Sequence, residues 1–205
     1  MKVPPELELD TRDGSAWLGI TPFRMSNVRP RLGPPLPWVS AFPELNVRTY
    51  VKVEGKPGVY FFSLDAGNPL AVAAARALFH LPYHQASMRV TRDLAAVHYS
   101  SRRMRSAERV QLVASYRAKG KPVRAAAGSL EHWLTERYCL YSLDRDRRVY
   151  RVEIHHAPWM LETATAEISV NTMTAPLGIS LPSTPGHLLF AARQDVVVWA
   201  PQRVI

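Results

Sequence analysis

Residues 40–53 alternate so regularly that they constrain the chain more than any other stretch. One set of alternate positions reads Phe42, Glu44, Asn46, Arg48 and Tyr50, the other Leu45, Val47, Thr49 and Val51. Successive side chains of an extended strand point to opposite faces, so the two sets separate onto two surfaces. The apolar set needs a core against it. The polar set gathers a carboxylate, an amide and a guanidinium at successive same-side positions. Two readings of that surface stay open: a convergent polar cluster lining a cavity, or a solvent-facing strand with a diagonal Glu44–Arg48 pair.

A turn is expected at Gly55-Lys56-Pro57-Gly58, with residues 59–64 returning as an aromatic-rich strand. Asn68-Pro69 opens a helix whose Leu70, Ala73, Ala74, Ala77 and Leu78 recur at helical spacing, and Leu81-Pro82 ends it. Strands are expected at 16–20, 85–90, 95–101 and 110–116, followed by a basic turn at Lys119-Gly120-Lys121-Pro122. Ser129 suits the N-cap of a short helix through Arg137 that places Leu130, Trp133 and Leu134 on one face. Further strands fit 138–143, 149–155, 164–170 and 195–200. Seven prolines fall in the first forty residues, and those around Arg29-Pro30-Arg31-Leu32-Gly33-Pro34-Pro35 require a loop there. The pattern is that of a mainly β, mainly antiparallel domain (α+β) with two short helices.

The 205 residues fit one domain, 1–205, with 47% hydrophobic and 21% charged residues excluding wholesale disorder. Cys139 is the single cysteine, which excludes an internal disulfide. The net charge is +9, and only five of the 26 basic residues are lysines (Lys2, Lys52, Lys56, Lys119, Lys121). Arginine cannot form a Schiff base but binds carboxylate and phosphate bidentately. The clusters Arg102-Arg103-Met104-Arg105 and Arg145-Asp146-Arg147-Arg148 read mainly as solvated surface, with an anionic ligand next and nucleic acid last. The longest apolar run, 69–79, contains Arg76 and is too short to span a bilayer. No apolar leader follows Met1, and a soluble cytoplasmic protein with no membrane partner is expected.

Metal and nucleophile motifs are missing. His80 and His84 are four apart, but Pro82 breaks the helix that would align them, and the adjacent His155 and His156 point opposite ways on a strand. No G-x-S-x-G, G-x-G-x-x-G or P-loop pattern occurs, so no cofactor and no metal are expected.

Several segments together carry a resemblance that covers nearly the whole chain. Phe42-Pro43-Glu44-Leu45-Asn46-Val47-Arg48-Thr49-Tyr50, Gly58-Val59-Tyr60-Phe61-Phe62, Leu81-Pro82-Tyr83-His84, Gly128-Ser129-Leu130-Glu131-His132 and Ile154-His155-His156-Ala157-Pro158-Trp159 resemble the uncharacterised bacterial YqjF-like family. That family is distantly similar to acetoacetate decarboxylase. The resemblance implies a single curved antiparallel β-barrel or cone around a pocket, a homo-oligomer, and a family N-terminal segment that this chain lacks. Such decarboxylases carry a proline followed by two lysines, the first forming the Schiff base. Here Pro82 is followed by Tyr83 and His84, so imine-based decarboxylation is not expected. Glu44 resembles one of the decarboxylase's active-site carboxylates, and a second is replaced within Trp17-Leu18-Gly19-Ile20.

The expected ligand is a small organic anion, a carboxylate or keto acid, with Glu44, Asn46, Arg48, Tyr83, His84, Arg137 and His155 as binding residues. The alternative is a non-imine dehydratase, isomerase or hydrolase with His84 or Glu44 as general base and Tyr83 as oxyanion donor. Against both stands the plain reading that Tyr83 plugs the pocket and that Arg137 and His155 make structural pairs.

Overall fold

The computed structural model describes residues 3–28 and 41–205. The proline-rich loop expected at 29–35 lies outside them. In chain order come three two-residue strands, β1 (Glu8–Leu9), β2 (Thr11–Arg12) and β3 (Ser15–Ala16), then β4 (Leu18–Met25), β5 (Phe42–Val53) and β6 (Lys56–Ala66). β5 and β6 form an antiparallel hairpin with Val53 opposite Lys56, so Glu54 and Gly55 alone make the turn. Both have positive φ, 51° and 76°, the two-residue turn whose twist matches that of the strands. The turn is thus earlier and tighter than expected, and Pro57 and Gly58 belong to β6.

Helix α1 (Pro69–Phe79) starts where Asn68 Oδ1 accepts from the amides of Leu70 and Ala71 at 3.0 and 3.2 Å, and stops at His80, whose φ is 52°. After it come β7 (Tyr83–Arg92), β8 (Val97–Arg103) and β9 (Gln111–Arg124). Helix α2 (Leu130–Thr135) begins at Ser129, whose Oγ accepts from the His132 amide at 3.2 Å. β10 (Cys139–Leu143), β11 (Val149–His156), β12 (Met160–Asn171), β13 (Leu189–Phe190), β14 (Val196–Val198) and β15 (Gln202–Arg203) complete the chain. The expected turn at Lys119-Gly120-Lys121-Pro122 lies inside β9. Lys119 pairs with Thr163 and Val123 with Leu161, so the ladder absorbs the glycine (φ 96°) and the proline as a bulge.

Among the described residues thirteen strands join in one sheet, along the path β13-β12-β9-β8-β7-β6-β10-β11-β14, with β5 on the other edge of β6, β4 and β1 on β5, and β15 on β11. β6 is the branch point. Its C-terminal end pairs in parallel with β7 (Leu64 opposite Tyr83) and its N-terminal end in parallel with β10 (Leu140 opposite Val59). The ladder between the described strands is open and forked; these pairings do not make the ring that a barrel would have.

The two faces of β5 separate as their alternation requires. Leu45 and Val47 join Phe62, Tyr99, Val110, Leu112 and Met173 in one core. Tyr50 joins Phe61, Leu64, Leu81, Leu140 and Val152 in another, flanked by Phe79 and by Trp133 and Leu134 of α2. Phe61 pairs with Arg48 and Ser63 with Val47, leaving Phe62 as an extra residue. The adjacent phenylalanines enter different cores, and the bulge falls directly beside Arg48.

Candidate functional site

Glu44 and Asn46 are 3% and 4% exposed, on a face of β5 bounded by β4 and β6. Tyr83, the first residue of β7, reaches the same face, and its hydroxyl donates to Glu44 Oε2 at 3.0 Å. Burial pushes the Glu44 carboxyl up to about 7, against the opposing pull of the Tyr83 hydrogen bond. Burial, and then the nearby Glu44 charge, also raise the Tyr83 phenol, so it remains a donor. Tyr99, from the opposite core, holds the Glu44 backbone by donating to its carbonyl at 2.6 Å.

Asn46 Oδ1 and Arg48 Nε are buried and have no hydrogen-bond partner among the described residues. Leaving such an atom unpaired costs about 1–3 kcal/mol, so each is a point where a bound molecule would add stability. The expected diagonal pair does not form: Glu44 is held by Tyr83, and Arg48 makes no ion pair among the described residues. About 13 Å of strand separates their Cα atoms, which is longer than a salt bridge spans without both side chains converging. Arg48 lies instead across Gly19 of β4. A Cβ at Gly19 would stand 3.3 Å from Arg48 Cγ and 3.4 Å from its Nε. Gly19 lies in the Trp17-Leu18-Gly19-Ile20 segment where the resemblance places a replaced carboxylate, and a glycine inside an apolar strand is itself a signal of close approach. Gly19→Val is expected to displace the Arg48 side chain with little effect on the fold. Side-chain NMR of the Arg48 Nε–H would read this as a shifted signal, and an unmoved one would contradict it.

The other expected site residues lie elsewhere. His84 follows Tyr83 in an extended strand, so it faces the opposite side of β7 and stands across from Asp65, which Arg103 grips at 2.8 and 3.0 Å. Burial, with the charges of Arg103 and Arg76, lowers its imidazole to about 4. Arg137 sits at the far end of the polar face. Its guanidinium is already engaged by Asp10 at 2.6 Å and the Trp133 carbonyl at 2.7 Å, and it stacks on the rings of Trp133 and Tyr50 at 4.3 and 5.1 Å. His155 is exposed on β11, opposite Val197. The polar face therefore comprises Glu44, Asn46, Arg48 and Tyr83, with Gly19 beneath Arg48.

The family model of the uncharacterized conserved proteins DUF2071 (COG2071) matches residues 1–195. The chain belongs to that family. It is 49% identical over 197 residues to the uncharacterized protein YqjF of Bacillus subtilis, covering 96% of this chain and 81% of that protein. Among solved structures, an acetoacetate decarboxylase from Legionella pneumophila superposes with a TM-score of 0.65 at 12% identity, covering 99% of this chain and 78% of the other. The enduracididine biosynthesis enzyme MppR, complexed with pyruvate, gives a TM-score of 0.53 at 11% identity over 80% of this chain and 66% of the other. Identities this low establish a shared acetoacetate-decarboxylase-like fold. Among the described residues, no helix is long and apolar enough to cross a membrane.

Proposed function

We propose that this chain holds a small organic carboxylate, such as a short keto acid, in a cavity floored by Glu44, Asn46, Arg48 and Tyr83, and that it does so without forming an imine. The observation carrying this reading is the half-buried Arg48 guanidinium, with a buried Nε that no described residue satisfies, next to an equally unsatisfied Asn46 carbonyl. Arginine offers a carboxylate two parallel donors. A buried Glu44 that stays protonated below about pH 7 does not repel the incoming anion. Pyruvate, with which MppR is complexed, belongs to the proposed class.

The described lysines support the second half of the reading. A Schiff-base lysine needs a depressed pKa, so that it is an amine at neutral pH. Lys52 is instead raised by its 2.8 Å pair with Asp10, and Lys56 is paired with Glu153 at 2.7 Å. Lys119 and Lys121 lie exposed on the solvated part of β9.

A second reading is favoured by one observation. A carboxyl near pH 7, hydrogen-bonded to a phenol, is matched to general-base work at neutral pH. In that reading Glu44 removes a proton from the bound keto acid and Tyr83 donates to the developing oxyanion; His84 takes no part, since it faces away.

A thermal-shift titration with pyruvate, with borohydride added to trap any imine, tests the proposal. At a hundredfold excess over Kd the expected stabilisation is about 2.7 kcal/mol. Affinity is expected to decline as pH rises through about 7, because ionised Glu44 then repels the ligand. An adduct of pyruvate mass on a lysine after borohydride would overturn the imine-free reading.

A further inference from the structure

The separation of His84 from Tyr83 leaves a histidine that the polar face does not use, and its surroundings form a site of their own. A cleft of about 360 Å³ runs between α1 and the start of β7. Arg76 of α1 and Arg105, just after β8, line it together with His84, Gln85, Val72 and Met104. Among the described residues, no acidic side chain lines the cleft.

The two arginines there have no acidic partner among the described residues. Arg76 donates its Nε to the Tyr83 carbonyl at 2.6 Å and makes no ion pair among the described residues. The side chains of Arg105, Gln85 and His84 have no hydrogen-bond partner among the described residues, and both arginines are exposed. The charged groups facing His84 are Arg76 from α1, Arg103 from β8 and Asp65 from β6, and the last two form a buried pair at 2.8 Å. Two unopposed guanidinium groups remain on a concave surface beside a neutral imidazole.

Two full positive charges match a dianion better than a monocarboxylate. A guanidinium fits the oxygens of a phosphate bidentately, and a phosphate monoester carries about −1.5 to −2 at neutral pH. The cleft exceeds the size of a bare phosphate, and Val72 and Met104 supply an apolar wall for a small organic body. We propose that this cleft is a second ligand site, independent of the Glu44–Arg48 face, which takes a small phosphate monoester between Arg76 and Arg105, with His84 hydrogen-bonding a remaining oxygen.

The His84 ring resonances give a direct readout on the intact chain. Inorganic phosphate, acetate and chloride are titrated at pH 7.5 and matched ionic strength into the wild type and into Arg76→Gln, Arg105→Gln and Arg48→Met. The expected result is a saturable shift of the His84 signal with phosphate only. Each of the first two variants should weaken it roughly tenfold, the effect of removing one charge-assisted contact. Arg48→Met should leave it unchanged, which keeps this site distinct from the carboxylate face. Because both arginines are exposed, their loss should not unfold the chain, and the other histidine signals check that. An unmoved His84 signal, an equal response to acetate or chloride, or an undiminished shift in both cleft variants would overturn the proposal.

Discussion

Gly58→Ala is expected to lower stability by about 3 kcal/mol, the upper end of the usual cost of overpacking a core. Gly58 lies in β6 where β10 crosses it in parallel, and an added Cβ would stand 2.7 Å from Tyr141 Cε2 and 2.8 Å from both the carbonyl oxygen and the sulfur of Cys139. The neighbours have nowhere to go. Cys139 and Tyr141 are fully buried in a cluster with Val51, Val53 and Val149, and the Tyr141 hydroxyl is anchored to the Lys56 carbonyl at 3.0 Å. The methyl would therefore pry β10 from β6 at the fork of the sheet. Gly55→Ala is the informative comparison, since nothing lies within 4 Å of its added Cβ and only its positive φ of 76° opposes the change. That conformational penalty is about 1 kcal/mol. Denaturant unfolding of both variants should rank Gly58→Ala clearly below Gly55→Ala; equal midpoints would mean that β10 does not approach as closely as the structure has it.

Glu44→Gln is expected to stabilise the protein at alkaline pH by about 3 kcal/mol and to change it little near pH 4. The Glu44 carboxyl titrates at about 7 in the folded chain and near the ordinary glutamate value of 4.5 when unfolded. Between those values the unfolded state has released its proton and the folded state has kept it. Raising the pH over that window therefore favours unfolding, by about 1.4 kcal/mol for every pH unit crossed, and the loss is complete above pH 7. Glutamine retains an acceptor for the Tyr83 hydroxyl but has no proton to lose. His84 acts in the opposite sense: its folded value lies below its unfolded one, so it makes stability rise with pH between about 4 and 6.5. The difference between wild type and variant cancels that contribution and isolates Glu44. A difference that does not grow between pH 4.5 and 7 would show that Glu44 is not desolvated.

Much of the fold was legible because its signals are local. The alternation over 40–53 sorts its residues onto two faces with no knowledge of the partners, and Asn68-Pro69 and Ser129 mark helix starts by hydrogen bonds made within three residues. Turn chemistry was more ambiguous. The glycines and prolines at 55–58 and 119–122 suit a turn, a bulge or a strand where another backbone comes close, and ladder partners distant in sequence decide which. The site divides the same way. Glu44, Asn46 and Arg48 share one strand, whereas Arg137 is occupied by Asp10, 127 residues away, a pairing that no spacing announces. Alternation alone already sends Tyr83 and His84 to opposite sides; that α1 and Arg105 build a cleft around the second of them depends on tertiary packing.

Calorimetric titration of pyruvate into the wild type and Arg48→Met at pH 6 tests the carboxylate site most directly. Arg48 is half-buried and makes no ion pair among the described residues, so its replacement removes charge-assisted hydrogen bonds to the ligand and breaks no hydrogen bond or ion pair among those residues. The predicted result is saturable binding to the wild type that weakens about 10- to 100-fold in the variant, equivalent to roughly 1.5–3 kcal/mol. Equal affinity in the two proteins, or no binding to either, would contradict a carboxylate held by Arg48.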